Sequence, residues 1–512
     1  MQTINSIDWK KLQNGSDIRG VALEGVPDEV VNLTPEVVRT LGNAFVQWLA
    51  QQTDRPTEEL TVGIGRDSRL SGEVLTQAVI DGMAIAGCRV YNFELASTPA
   101  MFMSTVTEGF NCDGAIMLTA SHLPFNRNGM KFFTPQGGLG KPDITAILSI
   151  AATEKLAIAA EPGEITQRDF ISVYAARLVD TVRQGVNHAD NYECPLAGLK
   201  IIVDAGNGAG GFYAHQVLKP LGADITGSQF LDPDGTFPNH VPNPENEAAM
   251  AAICQAVVAN QADFGLIFDT DVDRAAAVDR QGNELNRNRM IALISAIVLQ
   301  EHPGSTIVTD SITSDGLAQF ISDLGGKHHR FKRGYKNVIN ESMRLNELGQ
   351  ESWLAIETSG HGAMRENYFL DDGAYLATKL LIELAKAKQQ GKELTDAIAD
   401  LPEPVASEEF RLKIQTADFS AYGNDVITRL KDFAETQADW TVVPNNYEGV
   451  RISCNAPTES GWLLLRLSLH DPVIPINIES NVTDGVTSIA TTLSKFLHNF
   501  AALDLSAFQT YL

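Results

Sequence analysis

The feature that most constrains the fold is a repeated alternation of short apolar runs and helix-like segments. The stretch "LTPEVVRTLGNAFVQWLAQQ" carries apolar residues at helical spacing, with Thr34 as its predicted N-cap and Pro35 at the first helical position. It is followed by a predicted strand "LTVGIG", a predicted helix "GEVLTQAVIDGMAIAG" that ends at Gly87, and a predicted strand "GAIMLTASH". This order predicts a layered α/β fold with a largely parallel interior.

The alternation restarts twice, at "LKIIVDAGNGAGG" and at "STIVTDSITSDGL". Beyond "LPEPV", which is typical of a linker, the chain combines the helix-like "NDVITRLKDFAETQ" with a cluster of strands, and "VTSIATTLSKFLHNFAAL" is predicted to close it as a helix. At 512 residues the chain is too long for one core. We therefore predict three α/β domains, at 1–165, 166–290 and 291–402, and a C-terminal α+β domain at 403–512.

The composition restricts the kinds of molecule that the chain is expected to bind and the cellular compartment in which it is expected. With 64 acidic and 39 basic residues the net charge is −25, which argues against nucleic acid but leaves room for small phosphorylated ligands in a local positive pocket. The 5 cysteines are scattered and form no CxxC, as expected of reduced thiols. The first residues lack the apolar segment of a signal peptide, and no long apolar run follows. We expect a soluble, cytoplasmic protein that does not enter a membrane.

The strongest chemical signal is "FDTDVDRAAAVD", in which Asp269, Asp271 and Asp273 alternate after an apolar run. Carboxylates this close repel each other unless a cation lies between them. Hard oxygen ligands suit Mg²⁺, and the pattern of a twelve-residue Ca²⁺ loop is missing. Arg274, directly after the triplet, provides a fixed cation for a phosphate. A solvated acidic turn is the alternative interpretation.

A polar loop in "LTASHLPFNRNGMKFF" follows another apolar run. Ser121, His122 and Lys131 lie in this stretch together with Pro124 and Gly129, which mark an irregular backbone. A polar loop after a strand is where α/β proteins often place their chemistry. An ordinary surface turn is the alternative.

Two further polar segments are typical of sugar-phosphate recognition. "AIETSGHG" places Glu357, Ser359 and His361 on a glycine-rich loop, and this set of acceptors and donors suits sugar hydroxyls. A turn whose polar groups bond to each other is the alternative.

The second segment, "RLSLHD", has a composition suited to clamping a phosphate, with Arg466, Ser468 and His470 between apolar strands. A strand with alternating polar positions is the alternative. The chain thus combines a hydroxyl nucleophile, a cation site, a loop that binds sugar hydroxyls and a segment that binds phosphate. Together these indicate phosphoryl transfer on a phosphorylated sugar.

The segment "DAGNGAGG" matches the GxGxxG pattern of dinucleotide-binding proteins. A single match is weak, and no second mononucleotide-binding half is evident in this region. We interpret it as a tight strand-to-helix turn.

In their order along the chain, these motifs resemble those of the α-D-phosphohexomutases, the phosphoglucomutase/phosphomannomutase superfamily. "GSDIRG" is similar to the N-terminal arginine motif of that family, and "GRDSR" to the segment that supports the active-site loop. "TASHLP" with "NGMK" resembles the phosphoserine loop, "DTDVDR" the metal loop, "ETSGH" the sugar-binding loop and "GWLLLRLS" the start of the phosphate-binding loop. The resemblance implies three related α/β domains and a C-terminal domain of the TATA-box-binding-protein type, arranged around a central cleft.

The resemblance also implies roles for individual residues. Ser121 would carry the working phosphate as phosphoserine, and an oxygen of that group would join Asp269, Asp271 and Asp273 in holding Mg²⁺. Lys131 matches the family lysine assigned to acid/base work. The residues at supporting catalytic positions are Arg19, His122, Arg274 and His361. The residues that match binders of the sugar and its distal phosphate are Glu357, Ser359, Arg466, Ser468 and His470.

The chain departs from the family pattern at two places. Leu123 stands where an asparagine usually follows Ser-His. In the phosphate-binding loop, Leu469 and His470 replace a small residue and a threonine, so that one side-chain contact to phosphate is lost. This change leaves the preferred sugar phosphate open.

The sequence therefore predicts a Mg²⁺-dependent mutase that interconverts the 1- and 6-phosphates of glucose or mannose through a 1,6-bisphosphate. Glucosamine phosphate is less favoured, because glutamine is usual in that branch where Thr358 stands. A hexose 1,6-bisphosphate synthase using the same serine is one alternative, and a sugar-phosphate-binding regulator with weak catalysis is another. The expected ligands are phosphorylated hexoses and their bisphosphate, and no protein partner is implied.

Overall fold

The computed structural model describes residues 7–153, 155–468 and 471–512, and His470 lies outside them. The chain forms two compact units. The first unit comprises Met1–Asn286 and Ser359–Asp396, and the second comprises Arg287–Thr358 and Ala397–Leu512. Among the described residues, none of the helices combines the length and the apolar character needed to cross a bilayer.

The first part of the chain forms a mixed sheet flanked by helices. Its strands are β1 (Gln13–Asn14), β2 (Asp17–Val21), β3 (Thr61–Arg66), β4 (Arg89–Leu95), β5 (Gly114–Leu118), β6 (Arg127–Thr134), β7 (Gly137–Gly138) and β8 (Ile165–Gln167). Its helices are α1 (Pro35–Thr53), α2 (Gly72–Ile85), α3 (Thr98–Val106) and α4 (Lys141–Ala151). The strand order is β1-β2-β6-β5-β3-β4-β8, and β7 pairs with β6.

The interior of this sheet is parallel, as the sequence predicts. Strand β3 pairs in parallel with both β4 and β5, whereas β6 runs antiparallel to β5 and β2. The predicted start of α1 is confirmed, because the Thr34 hydroxyl accepts a hydrogen bond from the Val37 amide. Helix α2 ends at Ile85 and not at Gly87, which follows the helix with a φ of +88°. Strands β5 and β6 flank the serine loop and hold its two ends.

The next part of the chain adds a second, smaller sheet to the first unit. Its elements are α5 (Ile171–Val186), β9 (Ile201–Asp204), α6 (Glu247–Ala259), β10 (Phe264–Phe268), β11 (Ala275–Asp279) and β12 (Glu284–Leu285). The strand order is β12-β11-β10-β9, with β9 and β10 parallel and β10 and β11 antiparallel. The three aspartates lie in the turn between β10 and β11. The glycine-rich "DAGNGAGG" is a tight turn after β9, as predicted.

The third part of the chain is divided between the units. Its elements are α7 (Arg287–Glu301), β13 (Thr306–Thr309), α8 (Asp315–Asp323), β14 (Lys327–Arg330), α9 (Tyr335–Glu347), β15 (Ser352–Ile356), β16 (Gly362–Met364), β17 (Leu370–Asp371) and α10 (Gly373–Gln389). In the second unit, β13 pairs in parallel with β14 and β15. In the first unit, β16 and β17 form an antiparallel pair.

The C-terminal part of the second unit is an antiparallel sheet with helices. Its elements are β18 (Ala406–Lys413), α11 (Phe419–Glu435), β19 (Trp440–Val442), β20 (Val450–Cys454), β21 (Gly461–Leu465), β22 (Val473–Ser480), α12 (Gly485–Leu497) and α13 (Ser506–Tyr511). The strand order is β18-β22-β21-β20-β19. This mixed domain agrees with the predicted α+β class.

The prediction that one long helix closes the chain is wrong. Helix α12 ends at Leu497, and α13 follows after a short connection. At this end the His498 ring lies 2.7 Å from the Ser494 carbonyl, and the Asn499 side chain donates to the Phe496 carbonyl at 2.9 Å. Side chains that bond to nearby backbone in this way compete with the helical ladder and end it.

Candidate active site

The serine loop joins β5 to β6 and holds Ser121 in an unusual backbone conformation. Ser121 is 5% exposed and has a φ of +51°, in the left-handed region that non-glycine residues seldom adopt. Its amide donates to the Thr119 hydroxyl at 2.9 Å, and that hydroxyl donates to Asp67 at 2.7 Å. The conformation is thus fixed by the loop itself and by a buried carboxylate.

Arg69 holds the same loop through several hydrogen bonds to its backbone carbonyls. Its guanidinium is fully buried and donates to the backbone carbonyl of Ser121, to those of Leu123 and Pro124 at 2.8 Å, and to that of Arg127 at 3.0 Å. Asp67 lies 3.3 Å from the same guanidinium. Burial raises the pKa of Asp67 to about 6, even though Arg69 opposes this shift. A single side chain therefore ties together the whole turn that carries the serine.

The metal-loop residues form the turn of the β10–β11 hairpin. Phe268 and Ala275 are the last paired residues before the turn. Val272, between Asp271 and Asp273, has a φ of +68°, a strained conformation for a β-branched residue. The turn directs carboxylate oxygens of Asp269, Asp271 and Asp273 to within 4.8 Å of one another.

This carboxylate cluster fits a divalent cation. Among the described residues no hydrogen bond reaches Oδ1 of Asp271 or Oδ1 of Asp273, although both atoms are buried. Burial, followed by the charges of Asp273 and Asp271, raises the pKa of Asp269 well above its usual range. Buried carboxylate oxygens without a donor, in mutual repulsion, are the ligands that Mg²⁺ prefers.

Ser121 meets the metal loop directly. Its hydroxyl donates to Asp269 at 3.0 Å and accepts from the Arg274 guanidinium at 2.6 Å. The same guanidinium nitrogen lies 2.6 Å from Nδ1 of His122. Burial and then the charge of Arg274 lower the pKa of His122 to about 3, which keeps the ring neutral and able to accept this bond.

Lys131 on β6 pairs with two of the aspartates. Its ammonium lies 2.9 Å from Asp271 and 2.5 Å from Asp273. Burial raises the pKa of Asp273, but Lys131, His361 and Arg274 outweigh it and lower that pKa below its usual range. The lysine predicted for acid/base work therefore lies against the predicted metal ligands.

Arg19 and His361 flank the serine and the aspartates. Arg19 on β2 donates to the carbonyl of Ala120 at 2.7 Å and pairs with Asp17 at 2.9 Å. His361 lies 2.6 Å from Asp371 and 3.8 Å from Asp273. Burial alone would lower the pKa of His361, but the two carboxylates raise it to about 9, so that the imidazole is cationic near neutral pH.

In the second unit, Glu357 follows β15 and is buried. Its carboxylate accepts from the Gly334 amide at 2.6 Å, at the start of α9. Next to it, the Thr358 hydroxyl donates to the buried Asp310 at 2.7 Å. Ser359 begins the following segment of the first unit and is also buried. The bonds of Glu357 to Gly334 and of Thr358 to Asp310 thus hold this loop in place.

The predicted phosphate residues of the second unit follow β21. Arg466 is 7% exposed, and its Nε donates no hydrogen bond among the described residues. Burial lowers its pKa, while the nearby Glu448 opposes this shift. Ser468 is half-buried and accepts a hydrogen bond from the Asp471 amide at 3.3 Å.

Some contributors were not singled out from the sequence. Arg69 and Asp67 lie in "GRDSR", a motif that was assigned a supporting role without individual residues. Thr98, at the start of α3, donates to Asp271 at 2.5 Å. Asp371 and Asp310 are acidic residues at strand ends, a position that is a usable but weak signal.

The chain is similar to known proteins over most of its length. The chain matches "Phosphoglucomutase/phosphomannomutase, alpha/beta/alpha domain I" over residues 10–157, domain II over 176–282 and domain III over 286–405. It is 31% identical to the phosphomannomutase/phosphoglucomutase of Pseudomonas putida, over 91% of this chain and 90% of that one. The chain belongs to the phosphoglucomutase/phosphomannomutase family. The predicted superfamily is therefore confirmed.

Two further similarities extend this assignment. The phosphoglucomutase of Neisseria meningitidis is 28% identical over 92% of this chain and 94% of its own. A crystal structure of a phosphoglucomutase/phosphomannomutase family protein from Burkholderia thailandensis superposes with a TM-score of 0.77 at 26% identity, covering 96% of this chain and 98% of that one. The predicted fold class, with three α/β domains and a further C-terminal domain, and the enzyme class, a phosphohexomutase isomerase, are confirmed at the level of this family.

Proposed function

We propose that this family member transfers a phosphoryl group between Ser121 and the hydroxyls of a hexose phosphate, interconverting its 1- and 6-phosphates. The observation that supports the proposal best is the position of the Ser121 hydroxyl, which contacts Arg274 at 2.6 Å and Asp269 at 3.0 Å. An acceptor oxygen bonded to a guanidinium and facing a carboxylate cluster suits a group that alternately binds and releases a phosphoryl group. Glucose and mannose phosphates are the proposed substrates.

In the first transfer, phosphoserine 121 loses its phosphoryl group to a hydroxyl of the hexose phosphate. The P–Oγ bond breaks, a P–O bond to the sugar forms, and the hydroxyl proton passes to a general base. Arg274 stabilises the negative charge that develops on Oγ, since it already donates to that atom. The product of this step is a hexose 1,6-bisphosphate.

In the second transfer, Oγ of Ser121 takes up the other phosphoryl group of the bisphosphate. The sugar oxygen leaves and recovers a proton, and the enzyme returns to its phosphorylated form. Lys131 is the proposed acid/base group, and its pairing with Asp271 and Asp273 holds its ammonium at the carboxylate cluster that Ser121 contacts through Asp269. His361, cationic through Asp371, adds a second positive charge near Asp273.

The proposed cofactor is Mg²⁺, held by Asp269, Asp271 and Asp273 together with an oxygen of phosphoserine 121. When bound, Mg²⁺ would neutralise charge on the transferring phosphoryl oxygens. In the second unit, Glu357 is the proposed binder of sugar hydroxyls, and Arg466 the proposed anchor of the phosphate that is not being transferred. Ser359 and Ser468 are proposed to assist these two residues.

The proposal is tested by a product profile with glucose 1-phosphate and mannose 1-phosphate, in the presence of Mg²⁺ and a catalytic amount of glucose 1,6-bisphosphate. We expect the 6-phosphates to form, and we expect intact-mass spectrometry to find a phosphorylated fraction of the protein. Ser121→Ala should abolish both signals and leave the circular dichroism spectrum unchanged. Normal turnover by this variant would contradict the role of Ser121.

The same assay separates the mutase from a bisphosphate synthase. A mutase consumes the added bisphosphate only as a primer, so that the 6-phosphate accumulates far beyond it. A synthase instead releases bisphosphate in net amounts from a second phosphoryl donor. Binding of hexose phosphates without either product would favour a regulator.

A further inference from the structure

A strongly basic segment lies in the second unit of this acidic chain. Residues 327–336, "KHHRFKRGYK", contain five Lys or Arg and two His in ten positions, whereas the chain carries a net charge of −25. The segment comprises β14, a short loop and the first turn of α9. Arg333 lies in this loop and is partly buried, with 23% of its side chain exposed.

Carboxylates from two neighbouring loops hold the Arg333 loop in place. The Arg333 amide donates to Glu448 at 3.2 Å, and the Ser311 hydroxyl donates to the same carboxylate oxygen. Asp310 lies 3.7 Å from Nε of Arg333, and its Oδ2 also accepts from Thr358 at 2.7 Å. Both carboxylates are therefore engaged by other donors as well as by Arg333.

The Arg333 loop joins the sugar-reading and phosphate-binding segments. On one side, the amide of Gly334 bonds to Glu357 at 2.6 Å. On the other side, Glu448 is followed by Gly449, where an added Cβ would lie 2.8 Å from Cα of Arg466. Arg466 is buried, and among the described residues its Nε has no hydrogen-bond partner.

We propose that Arg333 is a second arginine of the distal phosphate site, binding with Arg466 the phosphate of the sugar phosphate that is not being transferred. This inference rests on the proposed function and deepens it. Arg333 would then be a phosphate-binding residue outside the loop after β21. In the sequence of that loop, Leu469 and His470 replace the usual small residue and threonine.

The electrostatics of the cluster are consistent with an anion between the two arginines. Burial lowers the pKa of Arg466, and the charge of Arg333 lowers it further. Two guanidinium groups that repel each other are both stabilised when a dianionic phosphate binds to them. Arg333 on the sugar-loop side and Arg466 on the opposite side would fix the orientation of the hexose as well as its affinity.

The test compares Arg333→Gln with Lys332→Gln by isothermal titration calorimetry. Lys332 is the adjacent, exposed residue, and its replacement removes the same charge from the same loop. The titrants are glucose 1-phosphate and, separately, inorganic phosphate, each with the intact protein. We expect Arg333→Gln to bind both titrants about tenfold more weakly than the wild type, and Lys332→Gln to bind them nearly as well.

A structural role for Arg333 predicts a different result. The Arg333 amide bond to Glu448 survives the substitution, but the charge beside the buried Asp310 is lost, so the melting temperature should fall slightly while the affinity for Mg²⁺ stays at the wild-type value. Equal losses in both variants, unchanged binding by Arg333→Gln, or a wild type that binds neither titrant would overturn the inference. Arginine-dependent binding by a wild type that shows no turnover and no phosphoserine would instead refute the proposed function and leave the phosphate site standing.

Discussion

Replacement of Arg69 tests whether the serine loop depends on one buried guanidinium. In Arg69→Met the carbonyls of Ser121, Leu123, Pro124 and Arg127 lose their donor, and Asp67 loses its cation. Breaking a buried pair by removing one partner costs about 3–5 kcal/mol. The loss should be smaller at pH 5.5 than at pH 8, because the pKa of Asp67 is already about 6 and protonation removes its unpaired charge.

The kinetic effect should exceed what the stability loss alone produces. A displacement of the reacting atom by about 1 Å costs on the order of 100-fold in rate, so kcat for hexose phosphate turnover should fall by about that factor. Arg69→Lys keeps a charge beside Asp67 but not the forked set of donors, so it should recover much of the stability and little of the rate.

The assay combines thermal melting, steady-state kinetics and the phosphorylated fraction by intact mass. Arg66→Gln is the matched control, because Arg66 lies in the same motif and, among the described residues, its side chain makes a single hydrogen bond, at 3.3 Å, to the Asp67 carbonyl. We expect the control to keep nearly wild-type turnover, and all variants to keep their Mg²⁺ affinity. Wild-type phosphorylation and turnover in Arg69→Met would refute the argument that this residue positions the nucleophile.

Three further predictions follow from other contacts. Asp271→Asn should weaken Mg²⁺ binding in a calorimetric titration, with activity partly recovered at high Mg²⁺; a fully active wild type in the presence of a chelator would contradict this. Arg466→Ala should raise KM and lower kcat for hexose phosphates by a combined ~2–4 kcal/mol, since the group is buried and charged, and unchanged kinetics would remove it from the site. Burial raises the pKa of Glu479 to about 7, so its stabilising contribution is complete below about pH 4.5 and disappears as the pH rises through 7. Glu479→Gln, which keeps an acceptor for the Trp462 indole, should abolish that part of the pH dependence of the melting temperature, and a retained slope would exclude Glu479 as its source.

The sequence was sufficient where the chemistry is local. The aspartate triplet and Ser121 each follow an apolar strand, and both the strands and the polar turns could be predicted from residue types and spacing. The contacts of Arg69 could not, because they depend on how a loop more than fifty residues away folds back over it. The Asp310–Thr358 bond is of the same kind, joining residues that are 48 positions apart. The end of α12 is an exception among the local features, because it is set by bonds of the His498 and Asn499 side chains to nearby backbone, which the helical spacing of apolar residues does not indicate.

The domain limits and residue roles remain predictions. The compact units divide the third predicted domain, since α10 belongs to the first unit and α9 to the second. Such a division cannot be predicted from local patterns, because it depends on which helix faces pack together. Helix α10 contacts α5 and β11, and those contacts assign it to the first unit.

The left-handed backbone at Ser121 restricts which amino acids can serve there over evolution. Threonine carries the same hydroxyl chemistry, yet its β-branch is disfavoured at a φ of +51°, so a conservative exchange of nucleophile is closed to this loop. Asparagine and aspartate tolerate that backbone well. The backbone of the loop should therefore accept an aspartate phosphomimetic, and because its carboxylate would face Asp269 where the serine hydroxyl donates, such a variant offers a non-turning-over form of the charged state when Mg²⁺ is supplied.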